Sequence, residues 1–342
     1  MVEKMKAIGY KKDLPIDNPE SLFEFETKLP KLEPHDLLVK VEATSVNPVD
    51  VFTRQGQKTE LKQPKIIGWD AYGIVIKTGE EASIFKPGDK VFYAGSYKRP
   101  GTDSEFQAVD ERIVGHAPKN LSIPEIAAMP ITSLTSWESL FEQINIDPSK
   151  KLENSNKAIL IINGAGGVGS VATQLAHLAG LKVLATTGNE ETKQWELNHG
   201  VDYVIDYHHD IEQQVHNAGF EYLDYILELT NLDEYWPVIV NLIAPLGKIV
   251  STTGSGKDLD LQPLKRKMAT FAWEWMYTKS WYGTSNLISQ HRILDQVSEL
   301  LDNGKLKSTL TKTLTPINAE NLRKATALVE SHHMTGKVVV KN

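Results

Sequence analysis

From Leu37 to Ala43 apolar and polar residues alternate. Val39, Val41 and Ala43 fall on one face, Lys40 and Glu42 on the other, which is the period of a half-buried strand. Gly73–Ile76 reads as a second strand, and Phe85–Tyr93 as a Pro87-Gly88 turn feeding a third. Many short strands with turn signals predict a partly closed antiparallel barrel in the first third of the chain. The rhythm then changes. Pro124–Ile146 has helical spacing, with Thr135 or Ser136 able to cap near Trp137, and Asp147-Pro148-Ser149 breaks it. Beyond it, strands at Ala158–Ile162, Val183–Thr186, Tyr203–Ile205, Tyr225–Leu229 and Ile249–Thr252 alternate with helices, one from Val168 to about Ala179 and one near Thr192–Asn198. Alternation of this kind predicts a parallel sheet covered by helices on both faces. The tail reads as helices over Leu287–Leu301 and Asn321–Glu330 and a closing strand, Gly336–Val340, which can complete the N-terminal barrel.

The chemistry lies in the middle. Ile159–Ile162 is an apolar run that ends in Gly164-Ala165-Gly166-Gly167-Val168-Gly169, and a helical pattern follows. Strand, G-x-G-x-x-G turn and helix are what a dinucleotide pyrophosphate requires. Gly164 is expected to make the tight turn. Gly166 admits the phosphates close to the backbone, Gly169 lets helix and strand approach, and the first free amides of the helix, near Gly167 and Val168, face the anion. No carboxylate ends the second strand, Leu184–Asn189, before Glu190. That leaves room for a 2′-phosphate, with Thr187, Asn189 and Lys193 able to contact it and Gly188 beside them, and favours NADP(H) over NAD(H); alternatively Lys193 is a solvated helix residue. Tyr207 follows the third strand and can lie against the adenine or its phosphate; alternatively it is a half-buried surface tyrosine.

Composition narrows the field. The 342 residues suffice for two domains, and 41% hydrophobic with 24% charged residues is ordinary for a globular chain. The net charge of −7 disfavours nucleic-acid partners. The chain has no cysteine, so disulfides and thiolate metal sites are excluded. No apolar stretch approaches bilayer length. Met1–Lys6 carries no long apolar core, so no signal peptide and no membrane partner are expected, and the expected location is cytoplasmic. His208-His209 and His332-His333 are adjacent pairs without i, i+4 spacing, so no metal site is expected there.

The ordered set Val46-Asn47-Pro48-Val49-Asp50, Gly68-Trp69-Asp70-Ala71-Tyr72-Gly73, Phe85–Asp89, Leu134–Glu138 and Gly164–Gly169 resembles the medium-chain dehydrogenase/reductase superfamily, in particular its quinone oxidoreductase branch and the relatives called zinc-type alcohol-dehydrogenase-like proteins. The resemblance covers nearly the whole chain. It implies an α/β protein: a GroES-like barrel from both chain ends (residues 1–127 and 284–342), a Rossmann domain between them (residues 128–283), and a cofactor in the cleft between the two. Zinc-dependent members place a cysteine at Asn47, a histidine at Trp69 and a second cysteine near Ile131-Thr132. Asn and Trp cannot supply a catalytic zinc's three ligands. The four-cysteine structural zinc lobe has no counterpart in Tyr93–Glu105.

The expected activity is zinc-independent, NADPH-dependent reduction of quinones or α,β-unsaturated carbonyls by hydride transfer. Asn47 is expected near the nicotinamide, as a hydrogen-bond donor to the developing oxyanion or as turn chemistry before Pro48. Asp50 is a catalytic candidate or a satisfier of backbone donors in a turn. Tyr93 and Tyr282 are candidate proton donors. Thr135, Thr230, Thr253 and Lys337 complete the candidate cofactor contacts, and Phe52, Trp69, Tyr93, Trp281 and Tyr282 the candidate substrate pocket. The aromatic-rich stretch Phe271–Tyr282 reads as a pocket wall or as core and dimer interface. A homodimer or homotetramer is expected. The alternatives are a zinc-dependent alcohol dehydrogenase and a non-catalytic NADPH-binding sensor or scaffold, a single-strand RNA binder included.

Overall fold

The computed structural model describes residues 4–342; Met1–Glu3, the first half of the Met1–Lys6 segment, lie outside the described residues. The chain divides into two compact units, residues 1–131 with 277–342, and residues 132–276. The sequence reading had set the borders at 127 and 283.

The first unit begins with β1 (Lys4–Gly9) and β2 (Phe23–Lys28), an antiparallel pair. Then come β3 (Asp36–Ser45), α1 (Pro48–Gln55), β4 (Ala71–Thr78), β5 (Lys90–Tyr93), β6 (Phe106–Asp110) and β7 (Val114–His116). The alternation read along β3 is real: Val39, Val41 and Ala43 are buried and Lys40 is exposed. Leu37, Val39, Val41, Val75, Phe85, Val91, Tyr93 and Val114 share one barrel core.

The helix expected over Pro124–Ile146 is broken. Ile123–Ala127 and Pro130–Trp137 are separate helices, and Glu138–Gln143 continues as a π-helical turn. Pro130 explains the break: it has no N–H to extend the first helix, and its ring is welcome only in the first turn of the next. Thr135 and Ser136 sit inside that second helix and not at its start.

The second unit carries β8 (Ala158–Ile162), α2 (Gly167–Leu178), β9 (Lys182–Thr187), α3 (Glu190–Asn198), β10 (Tyr203–Asp206), β11 (Leu223–Glu228), β12 (Ile243–Ser251) and β13 (Thr270–Trp273). All pair in parallel, in the order β10-β9-β8-β11-β12-β13. Numbered within the unit, this is 3-2-1-4-5-6, the doubly wound order whose strand direction of growth reverses between β8 and β11. The core strands β8 and β11 are apolar throughout except at their ends, as strands buried on both faces must be.

The chain returns to the first unit with α4 (Ser289–Asp302), β14 (Leu310–Leu314) and β15 (Lys337–Lys341). β15 pairs antiparallel with the end of β3, Val339 opposite Ser45 and Val340 opposite Thr44. The C-terminal strand thus joins the N-terminal barrel. No helix among the described residues is long and apolar enough to cross a membrane.

Candidate functional site

The glycine turn of the second unit opens at the carboxyl end of β8. Its left-handed residue is Asn163 (φ 73°), not Gly164 as expected. Gly164 is needed for space: a Cβ there would lie 2.6 Å from the Ala185 Cβ and 2.9 Å from Glu196 Oε1. A Cβ on Gly166 would meet the Asn163 amide at 2.9 Å, and one on Gly169 would fall onto the Asn163 carbonyl oxygen. α2 starts at Gly167, one residue before the Val168 expected. The Gly167, Val168 and Gly169 amides form its first turn, where N–H groups have no intrahelical acceptor. Neighbouring hydroxyls brace the turn. Asn163 N–H donates to Thr186 Oγ1 (2.8 Å), Ser170 Oγ donates to the Ala165 carbonyl (3.2 Å), and Trp195 Nε1–H donates to Ser170 Oγ (2.7 Å). Thr135 is buried; the adjacent Ser136 hydroxyl donates to the Val168 carbonyl at 3.0 Å and so ties its helix to the start of α2.

The other cofactor candidates also line carboxyl strand ends. At the end of β9, the Thr187 and Thr192 hydroxyls share a 2.5 Å hydrogen bond, and Asn189 caps α3 by accepting from Thr192 N–H at 2.9 Å. A Cβ on Gly188 would collide with the Tyr207 hydroxyl, so the half-exposed Tyr207 ring closes over that glycine from the end of β10. Lys193 forms an ion pair with Glu190 (3.2 Å), which offsets part of the charge it offers a 2′-phosphate. Thr230 and Thr253, at the ends of β11 and β12, are joined by a residue the sequence reading passed over. The buried Glu228 carboxylate accepts from Thr230 N–H (2.6 Å), Ser251 Oγ (2.7 Å) and Thr253 Oγ1 (2.6 Å). A lone acid in the run Ile226-Leu227-Glu228-Leu229 was the available signal.

Behind the turn sits Glu196 of α3, fully buried, with no side-chain partner for either oxygen among the described residues. Burial pushes its carboxyl up to about 8, against a weaker pull from the Ala165 amide. A carboxylate so near the phosphate turn opposes an anion when ionised and is neutral over much of the physiological range. The steric cradle, the open helix start and the hydroxyl-lined strand ends fit a dinucleotide. Such a cofactor would rest on Gly166–Gly169 and extend toward Thr187, Gly188 and Tyr207.

In the first unit, Asn47 is buried at the start of α1. Its Nδ2 hydrogens go to Asp70 Oδ2 (2.8 Å) and the Ser45 carbonyl (3.2 Å), and its Oδ1 accepts from the Lys337 ammonium. An amide between a carboxylate and an ammonium has only one sensible orientation. Both donors are therefore spent, and the expected role of Asn47 as donor to an oxyanion is corrected. Lys337 also donates to the Val46 carbonyl (2.9 Å) and lies 3.3 Å from Asp70 Oδ2. It holds Asn47 from β15. Asp50 is a cap and not a reacting group: Oδ2 accepts from Asn47 N–H (2.7 Å) and Oδ1 from Gly68 N–H (2.9 Å). Asp70 Oδ1 accepts from Ile131 N–H (2.7 Å). Burial pushes Asp50 up to about 7 and Asp70 upward, and lowers Lys337; attraction between Lys337 and the two acids opposes these shifts, while repulsion from Asp70 adds to the rise at Asp50. At Asn47, which the resemblance aligns with a zinc-ligating cysteine, the neighbouring cation is this ammonium.

The substrate candidates separate by depth. Tyr93 lies in the barrel core, its hydroxyl without a hydrogen-bond partner among the described residues and its pKa raised by burial, which makes it a poorer proton donor than an exposed phenol. Trp69 has 0% exposure and donates to the Ser96 carbonyl (3.4 Å); it stacks on Tyr97 with centroids 5.1 Å apart. It is a supporting layer and not a wall. Tyr97, unassigned from sequence, touches Trp281 (5.9 Å), and Lys98 lies 4.8 Å over the Trp281 ring. Phe52 and Tyr282 are 61% and 73% exposed. The aromatic stretch Phe271–Tyr282 is divided between the units, with the border at Met276/Tyr277. Phe271 packs on Trp236 in the second unit, and Trp281 belongs to the first.

Comparison with known proteins covers both units. Residues 33–124, within the first unit, match the alcohol dehydrogenase GroES-like domain, and residues 199–340, which cross the border at Met276/Tyr277, match the zinc-binding dehydrogenase family. A zinc-type alcohol dehydrogenase-like protein of Staphylococcus epidermidis is 39% identical over 336 residues, 98% of this chain and 99% of that protein. This chain is a medium-chain dehydrogenase/reductase. A solved Rhizobium etli structure, described provisionally as a zinc-dependent alcohol dehydrogenase protein, superposes on the medium-chain fold with a TM-score of 0.94 at 42% identity, covering 100% of this chain and 99% of that one. A more distant medium-chain relative is the chloroplastic NADPH-dependent alkenal/one oxidoreductase of Arabidopsis thaliana, 28% identical over 321 residues, 91% of this chain and 73% of that protein. The medium-chain family makes the protein an oxidoreductase that uses a nicotinamide cofactor.

Proposed function

We propose that the protein is a zinc-independent reductase that uses NADPH to reduce quinones or α,β-unsaturated carbonyls. The observation that carries the reading is the pairing of Asn47 with the Lys337 ammonium. A position that zinc-dependent relatives give to a thiolate here faces a built-in cation, in a chain without cysteine. A divalent ion seated beside that ammonium would meet its charge at close range. When bound, the cofactor supplies the hydride. The chain's own residues bind and orient it. Amides of Gly167–Gly169 face the diphosphate, and the hydroxyl-rich, acid-free end of β9 takes the adenosine end. The preference for a 2′-phosphate is supported by the lack of a carboxylate at Thr187–Asn189 and by the NADPH dependence for which the Arabidopsis relative is named.

The test is an oxidation assay with NADPH and NADH over quinones, 2-alkenals and 2-alkenones, on chelator-treated protein. Turnover with NADPH that survives chelation is the expected result. Turnover of alcohols that disappears with chelator would sink the reading, and tight NADPH binding without turnover on any of these acceptors would favour a sensor or scaffold.

A further inference from the structure

Among the described residues, one group of three metal-capable side chains converges, and no feature of the oxidoreductase reading uses it. His116 ends β7, and His291 and Asp295 stand one helical turn apart on α4. All three belong to the first unit. Both imidazoles aim at a single carboxylate oxygen region: His116 Nδ1 is 3.1 Å from each Asp295 oxygen, and His291 Nε2 is 3.5 Å from Asp295 Oδ2. Metal–ligand bonds of about 2.0–2.1 Å in a tetrahedron place neighbouring donor atoms about 3.3 Å apart. Two of the three edges already have that length, and all three donor atoms lie within 4.8 Å of one another.

The surroundings are those a metal ligand needs. His291 Nδ1–H donates to the Val114 carbonyl at 2.7 Å, which fixes the tautomer and leaves the Nε2 lone pair pointing at Asp295. Asp295 Oδ1 accepts from the His116 backbone N–H at 2.8 Å, which orients the carboxylate and leaves Oδ2 for an ion. Phe85 lies against both rings, with centroids 4.4 Å from His116 and 5.7 Å from His291, and limits their rotation. The His116 and Asp295 side chains are partly exposed, so an ion has a path in and a fourth position is open to water.

We propose that His116 Nδ1, His291 Nε2 and Asp295 Oδ2 bind one divalent transition ion of the zinc type, and that this ion staples α4 to β7. Two imidazoles and one carboxylate suit zinc or cobalt better than calcium or magnesium, which take oxygen donors. The ion supports the barrel and takes no part in hydride transfer.

The experiment uses the full chain after dialysis against chelator, titrated with Co²⁺ and Zn²⁺ and followed by visible absorption, calorimetry and thermal melting. The expected result is one equivalent of Co²⁺ with the absorption of a tetrahedral site, a melting temperature raised by Zn²⁺, and turnover with NADPH unchanged by either treatment. His116→Ala and His291→Ala should each lose the absorption, and Asp295→Asn should weaken binding at least tenfold. His116 is exposed, so its variant keeps the test open if His291→Ala does not fold. A variant lacking His208, His209, His332 and His333 should bind as the parent does. No cobalt spectrum in the parent, or a spectrum that persists in His116→Ala, overturns the proposal.

Discussion

Lys337 is the most consequential single residue of the barrel unit. Its ammonium is buried with Asp70 and Asp50 and is the cation that orients Asn47. Removing one member of such a group leaves the others charged and dry. Lys337→Met is expected to cost about 3–5 kcal/mol in urea denaturation, whereas Lys337→Arg should retain part of that through its charge. Sequence could nominate Asn47, Asp50 and Lys337 by position in a familiar pattern, but not the direction of their hydrogen bonds. Those follow from β15 meeting β3, a contact that no local spacing encodes. Glu196 shows the same limit. In the sequence it is one more polar residue on α3, and only the fold brings it behind Gly164. Its carboxyl, raised from the usual range to about 8, is protonated more readily in the folded chain than in the unfolded one. The stability this confers is complete below the ordinary carboxyl range and is lost as pH climbs through 8, by at most about 1.4 kcal/mol per pH unit. Glu196→Gln should therefore be less affected by alkali than the parent. Denaturation curves at pH 6 and pH 9 measure the difference, and equal pH slopes in the two proteins would contradict it.

At the level of elements, the period-two and period-3.6 patterns located β3, β4 and α4 well, because one face of each is buried, and an unbroken apolar run ending in the glycine motif located β8 and α2. Where the pattern failed, a backbone fact overruled it. Pro130 splits an apolar helix, and Asn163 takes the left-handed turn in place of a glycine. The fit of α2 against that turn is tight. Gly169→Ala should push the helix off the Asn163 carbonyl, with an expected loss of about 1–3 kcal/mol by denaturation and weaker cofactor binding by fluorescence titration. The end of β9 permits a cleaner test. Asn189→Asp keeps an oxygen acceptor for Thr192 N–H, so the α3 cap survives, while a carboxylate enters the place where NAD-dependent folds carry one. The ratio of kcat/KM for NADPH over NADH is expected to fall about tenfold, equivalent to about 1.4 kcal/mol; an unmoved ratio would place the 2′-phosphate elsewhere.

Over the whole molecule, the two-part plan was legible because the strand rhythm changes at the centre and returns at the tail. The borders were displaced by four and seven residues, since an aromatic stretch that looks continuous in sequence is cut at Met276/Tyr277. The depth of Trp69 and Tyr93 was not legible either: a tryptophan beside a family motif reads the same whether it faces ligand or core. The family assignment was visible in the residues themselves. The consequence at this scale is that metal removal and catalysis should separate. Exhaustive chelation is expected to leave NADPH turnover intact, measured against the untreated protein.

The chain order of the barrel unit also has a consequence for synthesis. Asn47 and its cation are 290 residues apart, and β15 supplies both the cation and the ladder partner of Ala43–Ser45. While the ribosome is still translating the nucleotide-binding unit, the emerged N-terminal segment holds two acids with no counter-charge and an unclosed sheet margin. The doubly wound unit, contiguous in sequence, can reach its final form first. A nascent chain stalled before Lys337 should accordingly show a protease-resistant central fragment flanked by a digestible leading third.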